Sequence, residues 1–433
     1  MLNNLDEIGF GQKMYQLISE LFPICRSITG EGFRRSLRIL QQHIPLQLYE
    51  VPSGTAVYDW TVPREWNIRD AYLKNEQGKK VIDFNESNLH IMSYSSPIQK
   101  KMSLSELKSH LFTIPDRPDW IPYRTSYYAE NWGFCLSQRQ FETLEDGIYE
   151  VFIDSSLEDG NLTYGEFLHR GQTDEEVLIS CHSCHPSLCN DNLTGMALAT
   201  CLAKYLSQFS LRYSYRFIFI PATIGSITWL SLNESQVPSI KHGLVMTCVG
   251  DPGKLTYKKS RQGDAEIDKA VSHVLKNSGQ EFEIIDFYPY GYDERQYCSP
   301  GFDLPVGSLT RSSQGRYPEY HTSADNLEFI KPEYLANSFS TYLRVINILE
   351  NNRKYINKQP KCEPQLGKRG LYGALGGKQN VKESEFAMLW VLNFSDGRYS
   401  LLDIAEKSNL KFELIQEAAT TLVKYNLLDK ITS

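Results

Sequence analysis

The 433-residue sequence predicts an α/β protein, in which a mixed sheet flanked by helices is interrupted by a small all-β module and followed by a compact helical tail. Three observations carry this expectation. Apolar, β-branched and aromatic runs alternate with long helical periods between about 148 and 349. From 46 to 131 the helical periods give way to short aromatic runs and turn signals. Beyond 350 the chain turns polar, then resumes in three short helical patterns. Stacking helices on a sheet buries the one apolar face that each such element presents.

Taken in order, Phe10, Met14, Leu17, Ile18 and Leu21 form one helical face, and Phe33, Leu37 and Leu40 another. The polar stretch between them, 23–32 with Arg26, reads as a helix connection. Pro52-Ser53-Gly54, Pro63, 75–78 and 115–122 punctuate the all-β module. Its W-x-V-P-x-x-W, Trp60 to Trp66, is expected as module core ahead of substrate-cleft wall. Strands are then expected at 148–153, 163–168, 177–181, 215–220, 243–248, 282–286 and 305–309, and helices at 193–206, 265–276 and 333–349. The expected domains are a discontinuous α/β domain (1–45 and 132–355), an inserted β-domain (46–131) and a tail (356–433) after a linker.

The tail resumes near Val381, and its helical patterns at 383–392, 401–407 and 412–425 have the rhythm of a winged helix. A DNA reader needs a basic recognition helix. Here 412–421 carries Glu413 and Glu417, with only Lys411 and Lys424 flanking it, so docking or dimerisation is the expected role.

The net charge of -7 argues against binding a polyanion. The N-terminus has neither a basic start nor an apolar core, and no apolar run is long enough to span a bilayer, so a cytoplasmic protein away from membranes is expected. Its 9 cysteines are then free thiols, mostly small core residues.

The chemistry centres on 178–195, L-I-S-C-H-S-C-H-P-S-L-C-N-D-N-L-T-G. An apolar strand ends in ligand-type residues, Cys181, His182, Cys184, His185, Cys189 and Asp191, and a helix follows. Ligands collect in loops at the carboxyl ends of such strands. Two imidazoles and a carboxylate in one loop signal a metal site, since both groups are zinc donors. Three later stretches would approach it: 216–226, a strand running into a small-residue loop; 291–309, with Asp293, Glu294 and Arg295 before a final strand; and 319–325, E-Y-H-T-S-A-D.

In this order, and through C-H-P-S-L-x-N-D-N-L-x-G, D-E-R-Q-Y-C-S-P-G and E-Y-H-T-S-A-D-N, the chain resembles the zinc exopeptidase superfamily. It is most similar to a bacterial aminopeptidase-like family linked to polysaccharide biosynthesis, which carries an inserted β-domain and a C-terminal winged helix. The resemblance implies a zinc-dependent aminopeptidase-like hydrolase of an amide bond in a small aminoacyl or peptidyl substrate. It puts the metal-bridging aspartate on Asp191 and the distal histidine on His321, with Asp325 orienting an imidazole. The first metal histidine falls on His182 or His185.

Two departures stand out. The superfamily's loop after strand 216–220 carries two adjacent glutamates, a base and a ligand, and the closer family keeps P-E-T-I-G-S. This chain has Pro221-Ala222-Thr223, so a methyl group stands at the base position and Thr223 at the ligand position. Thr247 and Cys248 stand where the remaining metal carboxylate is expected, with Asp251 nearby. One zinc ion rather than two is therefore expected. Ala222 leaves three readings open: an engineered knockout, a natural loss in a metal-binding pseudoenzyme or scaffold, or transfer of the base role to Glu294. Asp293 and Glu294 are candidates for a substrate ammonium group, and Arg295 and Arg311 for a carboxylate. Self-association through the accessory modules is an open expectation.

Overall fold

Every residue of the strands Glu176–His182 and Ser214–Ile220 is buried, the pattern of strands covered on both faces. In the computed structural model, which describes residues 6–371 and 383–431, they lie inside an eight-stranded sheet. Numbered along the chain, its strands are β1 (Gln47–Pro52), β2 (Asn161–His169), β3 (Glu176–His182) and β4 (Ser214–Ile220). β5 (Ile240–Met246), β6 (Leu255–Lys258), β7 (Phe282–Ile285) and β8 (Val306–Thr310) complete it. They stand in the order β1-β2-β4-β3-β5-β8-β6-β7. The run β4, β3, β5, β8 pairs in parallel, whereas β1–β2, β2–β4 and β8–β6 are antiparallel, so the sheet is mixed, as predicted.

Arg216 on β4 is buried, and its guanidinium grips Glu176 of β3 through two bonds of 2.6 and 2.8 Å. It also pairs with Glu166 of β2, whose other oxygen accepts from Trp229 Nε1 at 2.8 Å. A buried charge of this kind is tolerated because its hydrogen bonds are satisfied.

Helices α1 (Glu7–Leu21) and α2 (Glu31–Gln41) bury the two apolar faces read from the sequence. Helix α3 (Thr194–Leu206) follows β3 and is buried over most of its surface. A further helix, α4 (Ile224–Leu232), stands where the sequence suggested a continuing small-residue loop. Residues Ile224 to Leu230 are all buried, and a helix buried all round has no polar stripe to reveal its period.

The smaller four-stranded antiparallel sheet has the order Lys80–Asp83, Glu65–Lys74, Ile148–Glu158, Ile98–Ser103. This differs from the expected limits of the insert. β1, inside 46–131, pairs with β2 of the large sheet, while Ile148–Glu158, outside that range, is central to the small one. Strand patterning shows which faces are buried and leaves the pairing partner open. Trp66 is module core, its Nε1 donating to Ser95 O at 2.9 Å, whereas Trp60 is half-exposed.

A second compact unit comprises 264–280 and 341–431. Its three-stranded sheet has Lys354–Asn357 in the middle, between Asp396–Ser400 and Leu428–Lys430. The middle strand lies in the stretch expected to be a linker; only four residues long, with Ile356 exposed and Asn357 buried, it carries no apolar alternation. Helices at Glu383–Phe394, Leu401–Ser408 and Phe412–Lys424 complete a winged helix at the predicted places. Val381, the expected start of the tail, lies outside the described residues. Helix α5 (Glu266–Lys276) belongs to this unit. His273 Nδ1 is 2.6 Å from Glu406 Oε1, and its Nε2 accepts from Phe412 N–H at 3.1 Å.

None of the nine cysteines is in a disulfide. Among the described residues no helix is long and apolar enough to cross a membrane.

Candidate active site

β3 carries His182 at its carboxyl end, and the chain then loops through Asp191 before α3 begins at Thr194. Asn192 ties these parts together. Its Nδ2 donates to His182 O (3.1 Å) and Met246 O (2.9 Å), and its Oδ1 accepts from Gly195 N–H (3.0 Å). A Cβ at Gly195 would come within 2.4 Å of Asn192 Oδ1 and 2.6 Å of Met246 O, so D-N-L-T-G needs its glycine. Asn190 performs a parallel task, donating to Asp251 Oδ2 (2.8 Å) and accepting from Gly250 N–H (3.0 Å).

This loop brings ligand-type atoms of His182, His185 and Asp191 within 4.8 Å of one another. His182 Nε2 is 2.8 Å from Asp191 Oδ1, and His321 Nε2, from far along the chain, is 3.0 Å from Asp191 Oδ2. The sequence left His182 and His185 as competing choices; the fold brings both to the cluster. Asp191 is fully buried, and burial by itself would raise its pKa. The field of His185 and the hydrogen bonds to His182 and His321 outweigh it and hold the carboxyl well below its ordinary range. Burial pushes His185 down to about 3, which leaves its imidazole neutral. Its Nδ1 is buried without a hydrogen-bond partner. Imidazole nitrogens, one of them unpartnered, around an ionised carboxylate are a donor set suited to zinc.

Sequence reasoning missed several supports of this cluster. Tyr292 Oη donates to Asp191 Oδ1 at 2.8 Å, and its ring stacks on His182 at 4.4 Å. Tyr320 stacks on His321 at 3.9 Å. Both tyrosines adjoin residues that had been singled out, Asp293 and His321, and that adjacency was the available signal. Arg26, read as part of a helix connection, is fully buried and donates from Nε to His185 O at 2.9 Å. Asp325 does not orient an imidazole as expected. Its carboxylate accepts from the backbone N–H groups of Asn190 (2.6 Å) and Asp191 (2.9 Å), and so shapes the loop rather than a ring.

Ala222 lines a pocket with His185, His321, Cys184 and the insert residues Tyr123, Arg124, Thr125 and Tyr127. Tyr123 N–H donates to His321 O at 2.8 Å, which joins the insert to the histidine loop. The other sequence candidates stand outside this lining. Glu294 is buried and paired with Lys258 Nζ at 2.7 Å, so it is not a free base. Asp293 is buried, with one oxygen accepting from Ser226 Oγ at 2.7 Å and the other unpartnered; burial raises it to about 6. Arg311 is buried, donates to Asn337 Oδ1 at 2.9 Å and lies over the Tyr334 ring, so it does not face the pocket as a carboxylate clamp would. Arg295 is half-buried, with Nε unpartnered. Asp251 is saturated by Asn190, Gly253 and Ser312, away from the cluster.

Sheet order, loop positions and the histidine–aspartate cluster define the class, a zinc-aminopeptidase-like α/β fold with a C-terminal winged-helix domain. A zinc aminopeptidase from Bacillus subtilis superposes with a TM-score of 0.57 at 11% identity, over 78% of this chain and 94% of that one. A peptidase M28 precursor from Shewanella amazonensis gives 0.54 at 13% identity, over 80% and 96%. At such identities it is the architecture that is shared. More particularly, the chain belongs to the family described as Domain of unknown function (DUF4910), whose model matches 15–352, and a winged helix-turn-helix model matches 353–430. It is 59% identical over 418 residues, 96% of each chain, to a Clostridium acetobutylicum protein named as a candidate polysaccharide biosynthesis protein with an aminopeptidase-like domain. A crystal structure from Clostridium acetobutylicum, named as that of a candidate peptidase, matches with a TM-score of 0.94 at 57% identity over 98% of both chains.

Proposed function

We propose that this protein is a zinc-dependent, aminopeptidase-like hydrolase that cleaves an amide bond in a small aminoacyl or peptidyl substrate, with its general-base position filled by Ala222. The carrying observation is the cluster itself: His182, His185 and Asp191 within mutual ligand reach, with His321 on the other oxygen of Asp191. The unpartnered Nδ1 of His185 supports that reading, being a buried donor atom free to bind a metal. His182, His185, Asp191 and His321 would hold one zinc, since Thr223 and Thr247 offer no further carboxylate. When bound, zinc supplies a Lewis acid for the amide carbonyl and lowers the pKa of water to about 7.

The chain's own groups account for the rest. Tyr292 and Tyr320 fix the orientation of Asp191 and the histidine rings. Asp293, expected to hold the substrate's amine, is buried outside the pocket lining and does not face a substrate there. Ala222 accepts no proton, and loss of a general base typically costs about 10²–10⁴-fold in rate. Glu294 is a poor replacement because Lys258 holds it. The nine free cysteines support a cytoplasmic setting.

Metal analysis of tag-free protein tests the proposal. About one zinc per chain is expected, falling sharply in His321→Ala; less than about half an equivalent, unaltered by that change, would overturn it. The second reading, a metal-binding pseudoenzyme or scaffold, is favoured by one observation, the methyl group of Ala222 in the pocket lining. The relative's name makes sugar-borne amides worth including in any substrate panel.

A further inference from the structure

A second concavity shares no lining residue with the histidine pocket. It is a groove of about 410 Å³ lined by Tyr58, Asp59, Trp60, Glu234, Gln296 and Phe302, among others. That volume suits a small ligand. Tyr58 and Asp59 form the two-residue loop of a hairpin in which Val57 pairs with Trp60. Tyr58 has φ of 56°, in the left-handed region where such loops ordinarily carry Asn, Asp or Gly. A bulky aromatic residue held there is strained, and strain of this kind gathers at binding sites.

The loop's side chains are turned outward. Tyr58 is 52% and Trp60 49% exposed, too much ring surface for a core role. Tyr58 meets Phe302 edge-on at 6.0 Å, and Trp60 meets Tyr128 at 5.7 Å. Tyr58 Oη donates to Glu234 Oε2 at 3.0 Å, which ties the ring to the turn just after α4. The groove therefore presents aromatic rings beside two carboxylates, Asp59 and Glu234, and its lining contains no Lys, Arg or His. Ring quadrupoles and carboxylates both attract positive charge, and the absence of a basic residue disfavours phosphates and acids.

We infer that this groove binds an organic ammonium ion, such as a quaternary amine or an amino sugar, at a site separate from the histidine pocket. Aromatic faces and carboxylates of this kind also suit a proline-rich or lysine-bearing protein segment. The groove's volume of about 410 Å³, the size of a small-ligand site, favours the free cation.

Calorimetric titration of the full chain with choline, glucosamine and glucose tests this. Choline and glucosamine should saturate, with glucose at least about tenfold weaker. Trp60→Ala and Asp59→Asn should each weaken choline binding about tenfold without lowering Tm, because both side chains are exposed. His321→Ala should leave choline binding unchanged. Absence of saturable binding by either cation would overturn the inference. So would equal binding of glucose and glucosamine, or choline binding that survives Trp60→Ala and disappears in His321→Ala.

Discussion

In the proposed function, Ala222 is the residue on which the chemistry turns. It lines the pocket with His185 and His321, where a glutamate side chain would reach toward the histidine cluster. Ala222→Glu, loaded with zinc, should release amine from aminoacyl-arylamides or peptides at least about 10²-fold faster than the unaltered chain. A zinc-loaded variant that releases none from a broad panel would favour the scaffold reading. Asp325 acts at the same scale through two backbone N–H groups. Asp325→Ala would leave both buried donors unsatisfied, at a cost of about 1–3 kcal/mol each. Zinc affinity should fall about 10–100-fold, the usual effect of losing a group that supports a ligand. Competition with a chelator measures it, and unchanged affinity would return Asp325 to a purely structural role.

At the scale of elements, α5 and the winged helix share a network whose pH dependence can be worked out. The hydrogen bond to His273, reinforced by Lys276, outweighs burial and lowers Glu406 to about 2. A carboxyl whose pKa is depressed on folding stabilises the fold when ionised, so its contribution is fully present above about 4.5. That contribution is lost as pH falls from there toward 2. Glu406→Gln should therefore lower Tm at pH 7 and make little difference near pH 2. Equal Tm losses at both values would show that the pairing with His273 and Lys276 carries no pH-linked stability.

For the whole molecule, charge and the occupied start of the tail's last helix point the same way. The net charge is -7, Glu413 and Glu417 lie on Phe412–Lys424, and its first N–H is already bonded to His273. A DNA reader would meet the backbone with cations and free N–H groups. The full chain should not retard random duplex DNA at low salt; a shift that salt abolishes would show electrostatic binding after all.

Much of the architecture was legible because local patterns report local burial. The strand expected at 177–181 is Glu176–His182, and the helices expected at 401–407 and 412–425 are Leu401–Ser408 and Phe412–Lys424. Where burial does not alternate with exposure, the pattern is silent: Ile224 to Leu230 of α4 are all buried, and Lys354–Asn357 is only four residues long with two of them exposed. Spacing in one loop likewise announced His182, His185 and Asp191 as ligand types. Only the tertiary structure decided that both histidines reach Asp191, that His321 meets its other oxygen, and that Tyr292 and Asp325 hold it in place. It also decided that Glu294 belongs to Lys258 and that β1 joins the large sheet. Apart from those within the 182–191 loop, these are contacts between residues tens to more than a hundred positions apart, set by how sheets and loops pack. A periodicity spanning a few residues determines which face is buried; it has no term for what that face will touch.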